Sequence, residues 1–354
     1  MIDTGSSDPW LVQTEYVCVD YQTKEVIEDR DCYFGEPYDM SKSSTYEPIP
    51  NEHFNISYAD GEFLNGVMAY ESFTMAGITV PRQKFGVVDH AAWFGDEYSS
   101  GLVGFAYRTL TSAYSGQEPR ASLLYNPLFV NMYTDQGVPP VFSMAIDRSW
   151  ETPGIMAIGG IPDIPHSPVF VNTPIIPRGV NLSSGASVYE FYTIQTDGFA
   201  IAEDGSTQFN PYRNNNPKKR NLVYPDTQAI VDSGTSLMYV ADDIADLIAQ
   251  IFSPPGTYDD ERQVWFVQCD AASPVFGVGI AGKVFYVNPQ DLKVPVNSTH
   301  CISGVQRSHG PLTILGDVWM KSVLCVFDIG AEQMRFAARE FYNLTAAPVV
   351  RPTT

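Results

Sequence analysis

Two short segments hold residues that could do acid–base chemistry together: Asp3-Thr4-Gly5-Ser6-Ser7 near the start of the chain and Asp232-Ser233-Gly234-Thr235-Ser236 well beyond its midpoint. Each joins a carboxyl to a glycine two residues on and a hydroxyl three residues on. Two carboxyls brought close together cannot both ionise easily, so they share a proton and titrate as a pair. One can then act as base toward a water while the other, protonated, polarises a carbonyl and later protonates the leaving amine. Gly5 and Gly234 permit close backbone approach beside the carboxyls, and Ser6 and Thr235 offer hydroxyls to their oxygens.

One Asp-Thr-Gly or Asp-Ser-Gly is what any turn after a strand contains. The recurrence carries more weight, because each motif is followed by an apolar-apolar-glycine triplet, Leu102-Val103-Gly104 after the first and Ile314-Leu315-Gly316 after the second. The same two features in the same order point to an internal duplication.

The elements that must position these motifs are mainly strands. A chain of 354 residues with 44% hydrophobic and 18% charged residues exceeds what one core usually organises, and two lobes are expected. Short runs rich in Val, Ile, Phe and Tyr between Gly, Pro and Asn read as β structure. The clearest are Val141 to Ile146, Gly154 to Ile158, Gln263 to Cys269, Val275 to Ile280, Lys283 to Val287 and Val323 to Ile329. Helical spacing of Ile244, Leu247, Ile248 and Ile251 predicts a helix from Ala241 to Phe252 with Asp242 as its cap. A second is expected from Asn126 to Gln136, with Asn126 as cap, Pro127 at the first helical position and Gly137 as the stop. Phe54, Ile56 and Tyr58 alternate as on one strand face, and Ala59-Asp60-Gly61 turns the chain into a hairpin.

The net charge of −20 suits either an acidic soluble surface or residence in an acidic compartment, and no basic stripe exists for nucleic acid. The one basic cluster, Pro217-Lys218-Lys219-Arg220, reads as a solvated loop or a processing site. Cys18 and Cys32 bracket a polar stretch and Cys269 and Cys301 a strand-rich one, so two local disulfides are expected; Cys325, in an apolar run, reads as a buried free thiol. Sequons at Asn55, Asn181, Asn297 and Asn343 agree with the disulfides in pointing to a secretory route. No run reaches the roughly 18 apolar residues of a membrane span. The five histidines, His53, His90, His166, His300 and His309, are scattered, and no grouping has metal-ligand spacing, so neither metal nor other cofactor is expected.

From Ile2 to about Ala338 the chain resembles the pepsin-like aspartic endopeptidases. That resemblance implies a mainly β, bilobal acid-protease fold, with two pseudo-twofold-related β lobes and a cleft between them. It divides the chain into an N-terminal lobe at 1–150, an interlobe sheet region at 151–175, a C-terminal lobe at 176–340 and a tail at 341–354. Asp3 and Asp232 become the catalytic dyad holding one water, with Thr4 and Ser233 cross-bonded beneath them and Ser6 and Thr235 as hydroxyl partners. Ser233 stands where the family usually has Thr, and keeps the hydroxyl. On pattern alone Tyr58 is a packed aromatic; the resemblance places Ser57-Tyr58-Ala59-Asp60-Gly61 at the mobile flap, makes Tyr58 its closing residue and gives it Trp10 as indole partner. Ala59 replaces a frequent family glycine, which would stiffen the flap. Gly234, Thr235, Asp60 and Gly61 become backbone contacts for an extended peptide with apolar residues around the scissile bond.

The function so implied is hydrolysis of internal peptide bonds at acidic pH by a monomer that is secreted or held in a vacuolar or lysosome-like compartment. The other reading is a protease-fold protein that binds peptides or a partner through its cleft without turnover. Only Met1 and Ile2 precede Asp3, where the family carries further strands, so an N-terminally truncated member is expected whose folding and cleavage fall below those of a longer parent. Comparable cleavage by the two would contradict that expectation.

Overall fold

The computed structural model describes residues 1–116, 122–148, 154–202, 227–297 and 300–340. The basic cluster Pro217 to Arg220, the sequon at Asn343 with its tail, and Ser298 and Thr299 of a third sequon lie outside them. The chain separates into two compact units, the first Met1–Pro139 with Pro177–Phe191, the second Pro140–Ile176 with Tyr192–Thr354.

In the first unit a seven-stranded sheet runs in the order Ile2–Asp3, Gly101–Gly104, Pro9–Cys18, Ile78–Ala92, Phe63–Met75, Glu47–Ser57, Ala113–Ser115. Successive side chains on a strand point to opposite faces, and here both faces are covered. Trp10, Val12, Phe54, Ile56, Met68 and Val88 pack into one buried cluster. Their neighbours Val87, Ala69, Leu11 and Val67 pack into another around Phe85. This is why the strands read as apolar runs, Phe85-Gly86-Val87-Val88 among them, rather than as strict alternation.

The second unit is also built of β-sheets. One five-stranded sheet orders Val171–Pro174, Gln333–Ala338, Val323–Asp328, Val141–Ile146 and Gly154–Ile158, all paired antiparallel. Because Val141–Ile146 bonds to Val323–Asp328, residues from before 150 go with the second unit. A second five-stranded sheet orders Thr193–Gln195, Gln228–Val231, Thr313–Leu315, Met238–Val240 and Val305–Arg307. The mainly β architecture in two β units expected from the sequence is what is found.

The strands Val141–Ile146, Gly154–Ile158 and Val275–Ile280 occupy the predicted spans, and Val264–Gln268, Lys283–Tyr286 and Val323–Asp328 differ from theirs by one residue at an end or at both. Both helices form, but their N-terminal signals act differently from expectation. Asp242 begins the helix Asp242–Ile251 instead of capping it: Ala241 is the cap residue, and Asp242 accepts the backbone N–H of His309 at 3.2 Å. The other helix is Leu128–Asp135, with Pro127 in the cap position and no side-chain cap bond; Asn126 turns its amide to Asn131. The Pro127 carbonyl accepts Asn131 N–H at 3.2 Å, the first bond of the helix. Gly137, at φ +70°, lies just beyond the end as the stop.

Candidate active site

Each Asp motif begins where a short buried strand ends beside its glycine triplet. Ile2–Asp3 runs parallel to Gly101–Gly104, with Asp3 opposite Gly104. Gln228–Val231 runs parallel to Thr313–Leu315, with Val231 opposite Leu315, and the Asp232 N–H continues the ladder to Leu315 O at 3.1 Å. The triplets end in glycine for a spatial reason. A Cβ on Gly104 would lie 2.4 Å from the Ser7 carbonyl carbon, and one on Gly316 would lie 2.1 Å from Leu237 O and 2.2 Å from Thr235 O. Only a residue without a side chain lets the triplet pass this close to the carboxyl loop.

The two loops hold their carboxyls in the same way. Gly5 donates its N–H to Asp3 Oδ1 at 2.7 Å, and the Ser6 hydroxyl donates to Asp3 Oδ2. Gly234 donates to Asp232 Oδ1 at 2.9 Å, and Thr235 Oγ1 donates to Asp232 Oδ2 at 2.5 Å. Each carboxyl therefore meets a backbone donor on one oxygen and a hydroxyl on the other, which fixes its plane. Asp3, Thr4, Ser6 and Ser7 are buried, whereas Asp232, Ser233 and Thr235 are half-buried and Gly234 is exposed.

The hairpin of Glu47–Ser57 and Phe63–Met75 carries Tyr58 at its turn. Tyr58 N–H donates to Glu62 O at 2.8 Å and Gly61 N–H to Tyr58 O at 3.2 Å, a tight turn in which Gly61 takes φ +100°. Asp60 caps it by accepting Glu62 N–H at 3.1 Å. The Tyr58 hydroxyl accepts Trp10 Nε1–H at 2.9 Å, and its ring meets Trp93 edge-on at 5.7 Å. Burial above all, and then the Asp3 carboxylate, hold the Tyr58 phenol well above its ordinary pKa. Within the first unit, then, Asp3, Ser6, Trp10 and Tyr58 form one neighbourhood.

Three residues of that neighbourhood are absent from the sequence reading. Asp8, fully buried, accepts the Tyr125 hydroxyl at 2.5 Å and Ser112 N–H at 3.0 and 3.1 Å, while its own carbonyl takes Gly104 N–H at 3.1 Å. Burial pushes its carboxyl up to about 6, against the lowering effect of Tyr125 and Ser112. Trp93 meets Trp10 edge-on at 5.0 Å as well as Tyr58. Glu62, at the end of the turn, is buried too. Nothing in the local sequence marks either Asp8 or Trp93, whose partners are distant in the chain.

The disulfides Cys18–Cys32 and Cys269–Cys301 are present, with Cα atoms 5.9 and 5.1 Å apart, and Cys325 is a buried thiol whose pKa burial pushes up. Among the described residues no grouping of three or more His, Cys, Asp or Glu could hold a metal, and no helix is long and apolar enough to cross a membrane.

The family model of the eukaryotic aspartyl proteases matches residues 1–339. A relative from Aspergillus fumigatus, named “Probable aspartic-type endopeptidase”, is 36% identical over 96% of the chain and 75% of its own length. Gastricsin of Oryctolagus cuniculus is 25% identical over 96% of the chain and 77% of its own length. Secreted aspartic protease 7 of Candida albicans is 26% identical over 93% of the chain and 55% of its own length. The chain belongs to the eukaryotic aspartyl proteases. Its activity is that of an aspartic-type endopeptidase, and its substrates are peptides and proteins.

Proposed function

We propose that Asp3 and Asp232 act as one catalytic pair that shares a proton and activates a water against the peptide carbonyl. The observation that carries this is the identity of the two cradles: glycine N–H on Oδ1 and hydroxyl on Oδ2, from Gly5 and Ser6 in one and Gly234 and Thr235 in the other. The ionised member takes a proton from water as the water oxygen bonds to the carbonyl carbon; the protonated member gives its proton to the carbonyl oxygen. Collapse of the tetrahedral diol breaks the C–N bond: the member that took the water proton gives it to the leaving nitrogen, and the other takes a proton from a diol hydroxyl as the carbonyl re-forms. The two carboxyls end with the protons redistributed and the pair ready for another cycle. Thr4 and Ser233 support the loops from beneath.

Tyr58 is the flap residue, with Trp10 holding its hydroxyl, and Asp60, Gly61, Gly234 and Thr235 contact the substrate backbone. An extended peptide with apolar residues around the scissile bond suits such a site. A pair that must hold one proton between its members works at acidic pH, which fits secretion or an acidic vacuolar or lysosome-like compartment. The enzyme acts as a monomer, and no nucleic acid takes part. Digestion of a denatured protein at acidic pH tests the reading: cleavage is expected, and a statine-type analogue of the tetrahedral intermediate is expected to block it. Cleavage insensitive to that analogue, or binding without turnover, would count against the pair.

A further inference from the structure

The turn that carries Tyr58 is tied down from its far side. Glu62, directly across the turn through the Tyr58 N–H to Glu62 O bond, buries its carboxyl and accepts Phe94 N–H on Oε1 at 2.6 Å. The segment that supplies this donor is itself bonded to the Cys18–Cys32 loop. Val19 N–H donates to Ala91 O at 2.8 Å, Gly95 N–H to Cys32 O at 3.0 Å and Glu97 N–H to Tyr33 O at 2.7 Å. The same loop touches the hairpin twice more. Tyr21 lies 3.4 Å from where a Cβ on Gly61 would sit and meets the Phe94 ring edge-on at 5.2 Å, and the Lys24 ammonium lies 4.0 Å over the Phe63 ring.

We propose that Glu62 is a positioning residue that latches the Tyr58 turn to this disulfide-braced frame, so that the flap is held closed-ready instead of swinging as a free hairpin. The inference rests on reading the Tyr58 hairpin as the flap. Glu62 reaches the reaction only through Tyr58, since it faces Phe94 and its own turn. Burial, and then the neighbouring Asp60 carboxyl, raise its pKa to about 8 although Phe94 N–H opposes the shift, so in acid the group is a neutral acceptor. Glutamine in its place keeps that acceptor; alanine removes it and leaves the Phe94 N–H without its partner. A hairpin freed in this way spends less time in the arrangement that binds peptide, which weakens binding without altering the reacting groups.

The test is steady-state cleavage of one peptide at acidic pH by the wild type, Glu62→Gln, Glu62→Ala and Tyr58→Ala. Glu62→Gln is expected to match the wild type, and Glu62→Ala to raise KM by about tenfold with little change in kcat, as befits one lost hydrogen bond. Should Glu62→Ala not fold, Glu62→Asp, one methylene too short to reach Phe94, is expected to raise KM in the same direction. An unchanged KM in folded Glu62→Ala or Glu62→Asp, while Tyr58→Ala is impaired, overturns the latch and leaves the flap. Unimpaired Tyr58→Ala overturns the flap reading itself, and the latch with it.

Discussion

Trp10, the last residue of the Asp3-Thr4-Gly5-Ser6-Ser7-Asp8-Pro9-Trp10 run, gives its indole N–H to the hydroxyl of Tyr58, 48 positions away at the tip of a different hairpin. The bond joins the carboxyl loop to the turn of that hairpin within one unit. Tyr58→Phe removes the acceptor and leaves a buried N–H with nothing to meet. It is expected to lower stability by about 1–3 kcal/mol and to reduce kcat/KM, because the ring loses its fixed place. Thermal unfolding and peptide kinetics on the same preparations check both effects, and Trp10→Phe, which removes the donor instead, should cost the hydroxyl position but leave no orphaned N–H.

Asp8 should make the protein less stable as pH rises through the weakly acidic range. Its carboxyl, raised by burial from 3.8 to about 6, stays protonated in the fold while the unfolded chain ionises. The contribution is fully present below 3.8 and is lost progressively as pH rises to about 6. The span corresponds to about 3 kcal/mol at 1.36 kcal/mol per pH unit. Asp8→Asn keeps an acceptor for Ser112 N–H and cannot ionise, so its denaturant midpoint should vary less between pH 4 and 7, on the order of this pKa window, than that of the wild type.

Much of this architecture is written locally. The strand Val141–Ile146 announces itself by an unbroken apolar run between turns, and the glycines of the two triplets by their recurrence. Asp3 and Ser6, and likewise Asp232 and Thr235, stand three residues apart, so local spacing alone brings each carboxyl to its hydroxyl partner. What escapes is held by distant partners. Asp8 looks like a surface charge until Tyr125, 117 residues on, is seen to bond to it. Trp93 and Glu62 gain their meaning only when the Ile78–Ala92 strand is laid beside the hairpin. Asp242 shows the converse, a good cap residue drawn one position into the helix because His309 N–H offers another partner.

The glycines of the triplets admit no side chain. Gly316→Ala drives a methyl against two backbone carbonyls at 2.1 and 2.2 Å, and neither can yield without moving the Asp232 loop. Overpacking of this kind costs about 1–3 kcal/mol in a yielding core and more against backbone. The variant is expected to be destabilised beyond that range and inactive. Gly310→Ala, with only one atom near its Cβ, at 3.9 Å, serves as the silent control.

Reducing the Cys18–Cys32 bond, or replacing both cysteines by serine, frees the loop that carries Tyr21 and Lys24 onto the hairpin. The loop-entropy account puts the loss near 3 kcal/mol. Equilibrium unfolding of the double serine variant should show a loss of that order, and limited proteolysis should open the chain within 19–31 first.

The central claim is that the two half-sites work only as one. It is tested most directly by the initial rate of peptide cleavage at acidic pH for Asp3→Asn, Asp232→Asn and the double variant, each shown to be folded. Groups that act as a unit are strongly non-additive. Each single variant is expected to lose essentially all activity, with the double variant no worse than either. A single variant that keeps a substantial part of the wild-type rate, or losses that simply multiply in the double variant, would contradict the claim.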